Sequence, residues 1–143
     1  MAKPIYAEDV NFWQTSYSSP DIWIQRTKSQ IEKLGGKITA KGFESDGEGH
    51  AAFMLGFSIG ADTFKISWPV LQSKTDKTLA TRIQAATMLY HYVKSACLYA
   101  VIVSARSAFF GHLVLPDGRT ASQVADAELS EVVPQVLLLP AVE

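Results

Sequence analysis

Apolar and polar residues alternate with a period of two in three successive runs, Lys37–Phe43, His50–Phe57 and Thr63–Trp68. A period of two sends successive side chains to opposite faces of a strand. In the second run Ala51, Phe53, Leu55 and Phe57 share a face, and in the third Phe64, Ile66 and Trp68 do. In the first run Ile38 and Ala40 alternate with Lys37, Thr39 and Lys41. The period then changes. From roughly Asp76 to Arg106 there is no proline or glycine, and Leu79, Ile83, Ala86, Tyr90, Val93, Cys97 and Ala100 recur at spacings of four and three. Leu89, Ala96 and Val101 widen that stripe, and the whole stretch predicts one long helix.

Punctuation supplies the remaining elements. Ser19-Pro20-Asp21 offers a cap, a proline for the first helical position and an acid for the dipole, so a helix is expected from Pro20 to Leu34. Gly35-Gly36 stops it, and Trp23, Ile24, Thr27, Ile31 and Leu34 form its apolar face. Pro69 is expected to end the third strand. Leu113–Leu115 reads as a fourth short strand, Pro116-Asp117-Gly118 as a turn, and Thr120 as the cap of a short helix over Ala121–Leu129. The sum is an α+β fold in which an antiparallel meander of three to four strands packs its Phe53, Phe57, Phe64 and Trp68 face on one long helix, flanked by the N-terminal helix. A single domain is expected over residues 1–143. Residues 1–18, with Tyr6, Phe12, Trp13 and Tyr17, would lie across the core as an extended arm, and residues 132–143 would form an extended apolar tail.

Composition narrows the class. The chain has 143 residues, 48% hydrophobic and 19% charged, as a globular domain does. Apolar runs such as Leu98–Val103 and Val136–Leu139 fall far short of the roughly 20 residues of a membrane span. Residues 1–6 lack the apolar core of a signal peptide, and Cys97 is the only cysteine. The expectation is a soluble protein of the cytoplasm, without disulfide or membrane contact.

Two surfaces stand out. The long helix is apolar nearly all round after Lys94, which implies burial on more than one side. Leu98, Val101 and Ile102, together with Leu137, Leu138 and Leu139 of the tail, are therefore expected to form an oligomer interface, most simply of a homodimer. The second surface is basic. The net charge is −1, yet residues 26–94 carry ten basic and six acidic side chains, while residues 95–143 carry two and five. With strict alternation Lys37, Lys41 and Lys65 share the open sheet face with His50 and Met54, and Lys74, Lys77 and Arg82 lie beside it. Such a face suits a phosphate backbone. Helix, three strands and helix is also the element order of double-stranded RNA-binding domains, and the strand-strand-strand-helix core resembles that of phage single-strand annealing proteins.

Catalytic chemistry has no comparable pattern. His50, His91 and His112 lie far apart and match no metal-ligand spacing, so no metal or cofactor is expected. Cys97 sits on the apolar stripe, where a buried thiol is inert. Gly47-Glu48-Gly49 precedes a strand, not a helix, and cannot be a phosphate loop. Glu44, Asp46 and Glu48 read as a solvated hairpin tip.

The stretch from Val93-Lys94-Ser95-Ala96 to Leu113-Val114-Leu115-Pro116-Asp117-Gly118-Arg119-Thr120 resembles the C-terminal half of a family of uncharacterised small proteins of bacteriophages and prophages. The likeness spans about residues 20–125, and Leu98–Val103 replaces the charged middle of that family's helix. It implies a viral or mobile-element origin and host cytoplasm as the setting. The functional expectation is a non-enzymatic interaction protein that binds a protein partner. The alternative is a nucleic-acid-binding accessory module using the basic sheet face.

Overall fold

A computed structural model describes residues 4–14, 18–47 and 50–129. Helix α1 spans Pro20–Lys33, followed by β1 (Lys37–Ser45), β2 (Ala51–Ile59), β3 (Asp62–Val70) and the long α2 (Thr78–Ile102). Two short helices, α3 (Ala105–Ala108) and α4 (Ala121–Leu129), complete the order. The strands pair antiparallel as β1-β2-β3, so the meander expected from the alternation is present.

One face of the sheet makes the core. Phe53, Leu55, Phe57, Phe64 and Ile66 are buried against Ala86, Leu89, Val93 and Cys97 of α2 and Ile24 and Ile31 of α1. Phe57 stacks on Phe64 at 5.3 Å, and Phe109, from the segment after α3, meets Phe57 edge-on at 5.1 Å. Each of these fully buried rings contributes roughly 1.5–3 kcal/mol of burial. Trp68 is half-buried and closes the layer against Tyr92 at 5.4 Å.

Local signals set the boundaries. Ser19 has the extended backbone of an N-cap and Pro20 follows it, although the Ser19 hydroxyl makes no capping bond. Gly35 takes φ +81° and ends α1, a conformation that a side chain would strain. Gly118, at φ +89°, does the same in the Pro116–Gly118 turn. Thr120 and Gln123 then form a reciprocal cap on α4, the Thr120 N–H donating to Gln123 Oε1 at 2.8 Å.

Four expectations need correction. Pro69 does not end β3, which runs on to Val70; β3 is an edge strand, where a missing N–H is tolerated. Leu113–Leu115 is not a strand of the sheet. Leu113 only bridges Phe64, and Val114 donates to Thr63 before the chain turns back to pair with Thr120 and Ala121. The long helix stops at Ile102, because Ser104 adopts extended geometry and caps α3 by accepting from the Ser107 N–H at 3.0 Å. Finally, the stripe on α2 is shifted: Leu79 is exposed, whereas Thr81 and Gln84 are buried.

That shift comes from the N-terminal segment. Tyr6 bridges Gln72, Ala7 is buried in a single 3-10 turn, and Gln84 Nε2 donates to the carbonyls of Ala7, Val10 and Asn11. Glu8 clamps the other side. Its carboxylate, raised by partial burial, is nevertheless held down at about 2 by the Lys74 N–H and the Ser73 and Thr75 hydroxyls. Residues 132–143 and Tyr17 lie outside the described residues.

Candidate interaction surface

Beyond Val93, fewer side chains of α2 are buried. Core contact narrows to one side: Val93 and Cys97 are buried, and Ala96 and Ala100 are half-buried. At 100° per residue, Leu98, Tyr99, Val101 and Ile102 occupy an arc of roughly 160° on the opposite side. All four are exposed, Ile102 at 75% and Val101 at 72%, and Val103 follows at 55%. Together the five side chains present on the order of 600 Å² of accessible surface, the top of the range for the largest apolar patch on a typical monomer. No charged residue occurs between Lys94 and Arg106 to interrupt it.

Beside this ridge runs an apolar groove of about 480 Å³ between α1 and α2, lined by Leu34, Cys97, Leu98 and Val101, with Lys33 and Lys94 also in its walls. Burial pushes the Cys97 thiol up to about 11, so the groove offers no thiolate at neutral pH. Leu98, Val101 and Ile102 share one exposed surface. Leu137, Leu138 and Leu139 lie outside the described residues. Tyr99 and Val103 belong to the same patch without being among the expected interface residues, and their place in the uncharged run Leu98–Val103 is the sequence signal that points to them.

The basic candidates do not share a surface. Ile38 pairs with Phe57 but Ala40 with Gly56, so Thr39 is an extra residue in β1. Thr39 and Ala40 both stand over Gly56, where an added Cβ would lie 2.9 Å from Thr39 Oγ1. This β-bulge inverts the alternation beyond it. Lys41 pairs with Leu55 and Phe43 with Phe53, on the helix-facing side, whereas Lys37 and Lys65 stay on the open face. Glu44, opposite Ala52, returns a negative charge to that open face.

The remaining candidates are held elsewhere. Lys74 pairs with Asp9 at 3.0 Å and lies over the Tyr6 ring. Arg82 stacks over Phe43 at 4.9 Å, and Lys77 is the residue before α2. His50 bonds Asp46 at 2.8 Å across the hairpin loop. Met54 is half-buried on the open face. Seven polar candidates thus fall into separate places, with only Lys37 and Lys65 on one sheet face.

The other polar contacts are structural in geometry. Tyr92 and His112 meet at 2.8 Å, joining α2 to the turn before Leu113. Burial lowers the His112 pKa, opposed by its bond to the Lys65 carbonyl, and burial raises that of Tyr92. Arg106 makes two bonds to Asp62, of 2.8 and 2.9 Å, which tie α3 to the start of β3. Asp117 bonds both the backbone and side chain of Arg119, completing the turn. His91 is exposed and stacks on Phe12 at 4.9 Å. Among the described residues no three metal-binding side chains converge, and no helix is long and apolar enough to cross a membrane.

No protein-family model matches the chain, and neither a curated protein nor a solved structure matches it.

Proposed function

We propose that this chain is a non-enzymatic interaction protein that binds a protein partner through the apolar end of α2. The carrying observation is the exposed cluster of Leu98, Tyr99, Val101, Ile102 and Val103 on a helix whose other face is anchored in the core. Exposing that much contiguous apolar surface favours association, because covering it returns roughly 25 cal/mol per Å². A rigid, uncharged helical ridge beside a groove is a common form of protein-docking surface. Both a second copy of this chain and a different protein are partners of this class. The phage-like motif supports a mobile-element origin, and the single buried cysteine fits a cytoplasmic setting.

The test compares the tagged chain with a Val101→Glu/Ile102→Glu variant and with Ser67→Glu, on the open sheet face, as control. Proteins retained from a bacterial lysate are identified, purified and titrated, and self-association is measured in parallel. Saturable binding to a copy or to an identified protein is expected, weakened by at least roughly thirtyfold in the double variant and unchanged in the control. Absence of any saturable protein binding, or binding indifferent to the two glutamates, refutes the reading.

A further inference from the structure

We propose that the partner of this surface is a second copy of the chain, with the C-terminal halves of two α2 helices packed antiparallel across a twofold axis. The inference rests on the protein-binding reading above and names the partner.

Area is the first support. Fully covered, two patches of about 600 Å² would bury at most about 1,200 Å² in total, the lower edge of the range for a specific interface and suited to a weak, reversible one. Shape is the second. Leu98 and Ile102 stand one turn apart in a single row, with Val101 and Tyr99 on either side. A twofold axis at the height of residue 100, on the exposed side of the helix, sets Leu98 of one copy against Ile102 of the other, so one ridge fills the space beside its equivalent. The contact is self-complementary without any second surface.

Charge favours the antiparallel sense. Residues 95–105 contain no Asp, Glu, Lys, Arg or His, so closing the interface over them buries no ion. The last turn of α2 carries no basic residue to balance its partly negative carbonyl end. Lys94 lies six residues, or about 9 Å, before Ala100. In an antiparallel pair that distance carries each Lys94 past the carbonyl end of the partner helix. The two lysines then stand about 18 Å apart, beyond the roughly 8 Å screening length of physiological salt. A parallel pair instead sets lysine beside lysine and carbonyl end beside carbonyl end.

The experiment is sedimentation velocity on the full chain from about 1 to 200 μM, where an interface of this size is expected to show a micromolar monomer–dimer equilibrium. Ile102→Glu and Leu98→Lys are each expected to weaken it by at least roughly a hundredfold, with circular dichroism unchanged because both positions are exposed. Mixing these two variants brings Lys at 98 against Glu at 102 once per dimer and leaves the other contact native. The mixture is expected to associate at least about tenfold more tightly than either variant alone. Three results overturn the proposal: a wild-type chain that stays at 15.6 kDa throughout, a dimer insensitive to Ile102→Glu, or a mixture no tighter than its components. A wild-type monomer that still titrates a lysate protein through the patch sinks self-pairing and leaves the protein-binding reading standing.

Discussion

Gln84 allows a sharp test of how the N-terminal segment is held. Its amide nitrogen faces three carbonyl oxygens, of Ala7 at 2.8 Å, Asn11 at 3.0 Å and Val10 at 3.3 Å. Two hydrogens serve these three acceptors, so about two net hydrogen bonds of roughly 1 kcal/mol each are at stake. The amide oxygen is buried with no hydrogen-bond partner among the described residues, at a cost of about 1 kcal/mol or more. Gln84→Met removes the bonds and this orphan together. The expected loss is therefore only about 1–2 kcal/mol. Gln84→Glu keeps the shape but turns a carboxylate toward carbonyl oxygens, with no donor to receive it. A loss of about 3 kcal/mol or more is expected at pH 7, limited by release of the arm. The introduced acid fits this site only when protonated, so its folded pKa must lie above the ordinary value near 4.3. Its deficit is then smallest in acid and grows as pH rises from about 4.3 through the raised pKa. Urea denaturation at several pH values measures the deficit. Hydrogen exchange at the Ala7 amide, which donates to the Gln72 carbonyl at 2.8 Å, reports whether the arm has detached. A Gln84→Glu variant within about 0.5 kcal/mol of wild type at pH 7, with Ala7 still protected, refutes this account.

Three further outcomes follow from the geometry. Because burial lowers the His112 pKa, the unfolded chain takes up that proton first as pH falls; the contribution is complete above about 6.5 and declines through the folded pKa. Thermal midpoints between about pH 8 and 5 should show this fall, and His112→Phe should remove it; a wild-type midpoint flat across that window counts against the assignment. Gly36→Ala should destabilise by about 1–3 kcal/mol in urea, since the new Cβ would lie 2.6 Å from Ile31 Cγ2 and 2.9 Å from Ile31 O, whereas Gly42→Ala meets nothing and serves as the control. Gel shifts with single- and double-stranded DNA and RNA should show no salt-dependent affinity tighter than about 100 μM, because Lys41 lies on the opposite sheet face from Lys37 and Lys65; tight binding lost on replacing all three by alanine would contradict the geometry.

The fold was largely legible because its signals are local. Alternation over three runs fixes strands, a 3.6-residue recurrence fixes α2, and Gly35 and Gly118 sit where a left-handed backbone is required. The apolar surplus after Lys94 was legible too, since it needs only a count of missing charges. What misled the reading was parity. One inserted residue, Thr39, is invisible in a pattern of Lys-Ile-Thr-Ala-Lys, yet it inverts every side chain after it in β1. The lysine face that alternation assembled on paper therefore does not form.

Sequence by itself determined which segments are strands and helices, their order, and that α2 carries more apolar side chains than one core contact can cover. Tertiary structure alone decided which of those side chains remain in solvent. Leu79 and Leu89 look alike along the chain, and so do Val93 and Val101, yet Leu79 and Val101 are exposed and Leu89 and Val93 are buried. Their fates depend on which side of α2 faces the sheet, on which side α1 packs, and on a glutamine that draws the N-terminal arm over the helix start. Burial is a property of distances between elements remote in sequence, and a local period carries the direction of a side chain but not what it will meet there.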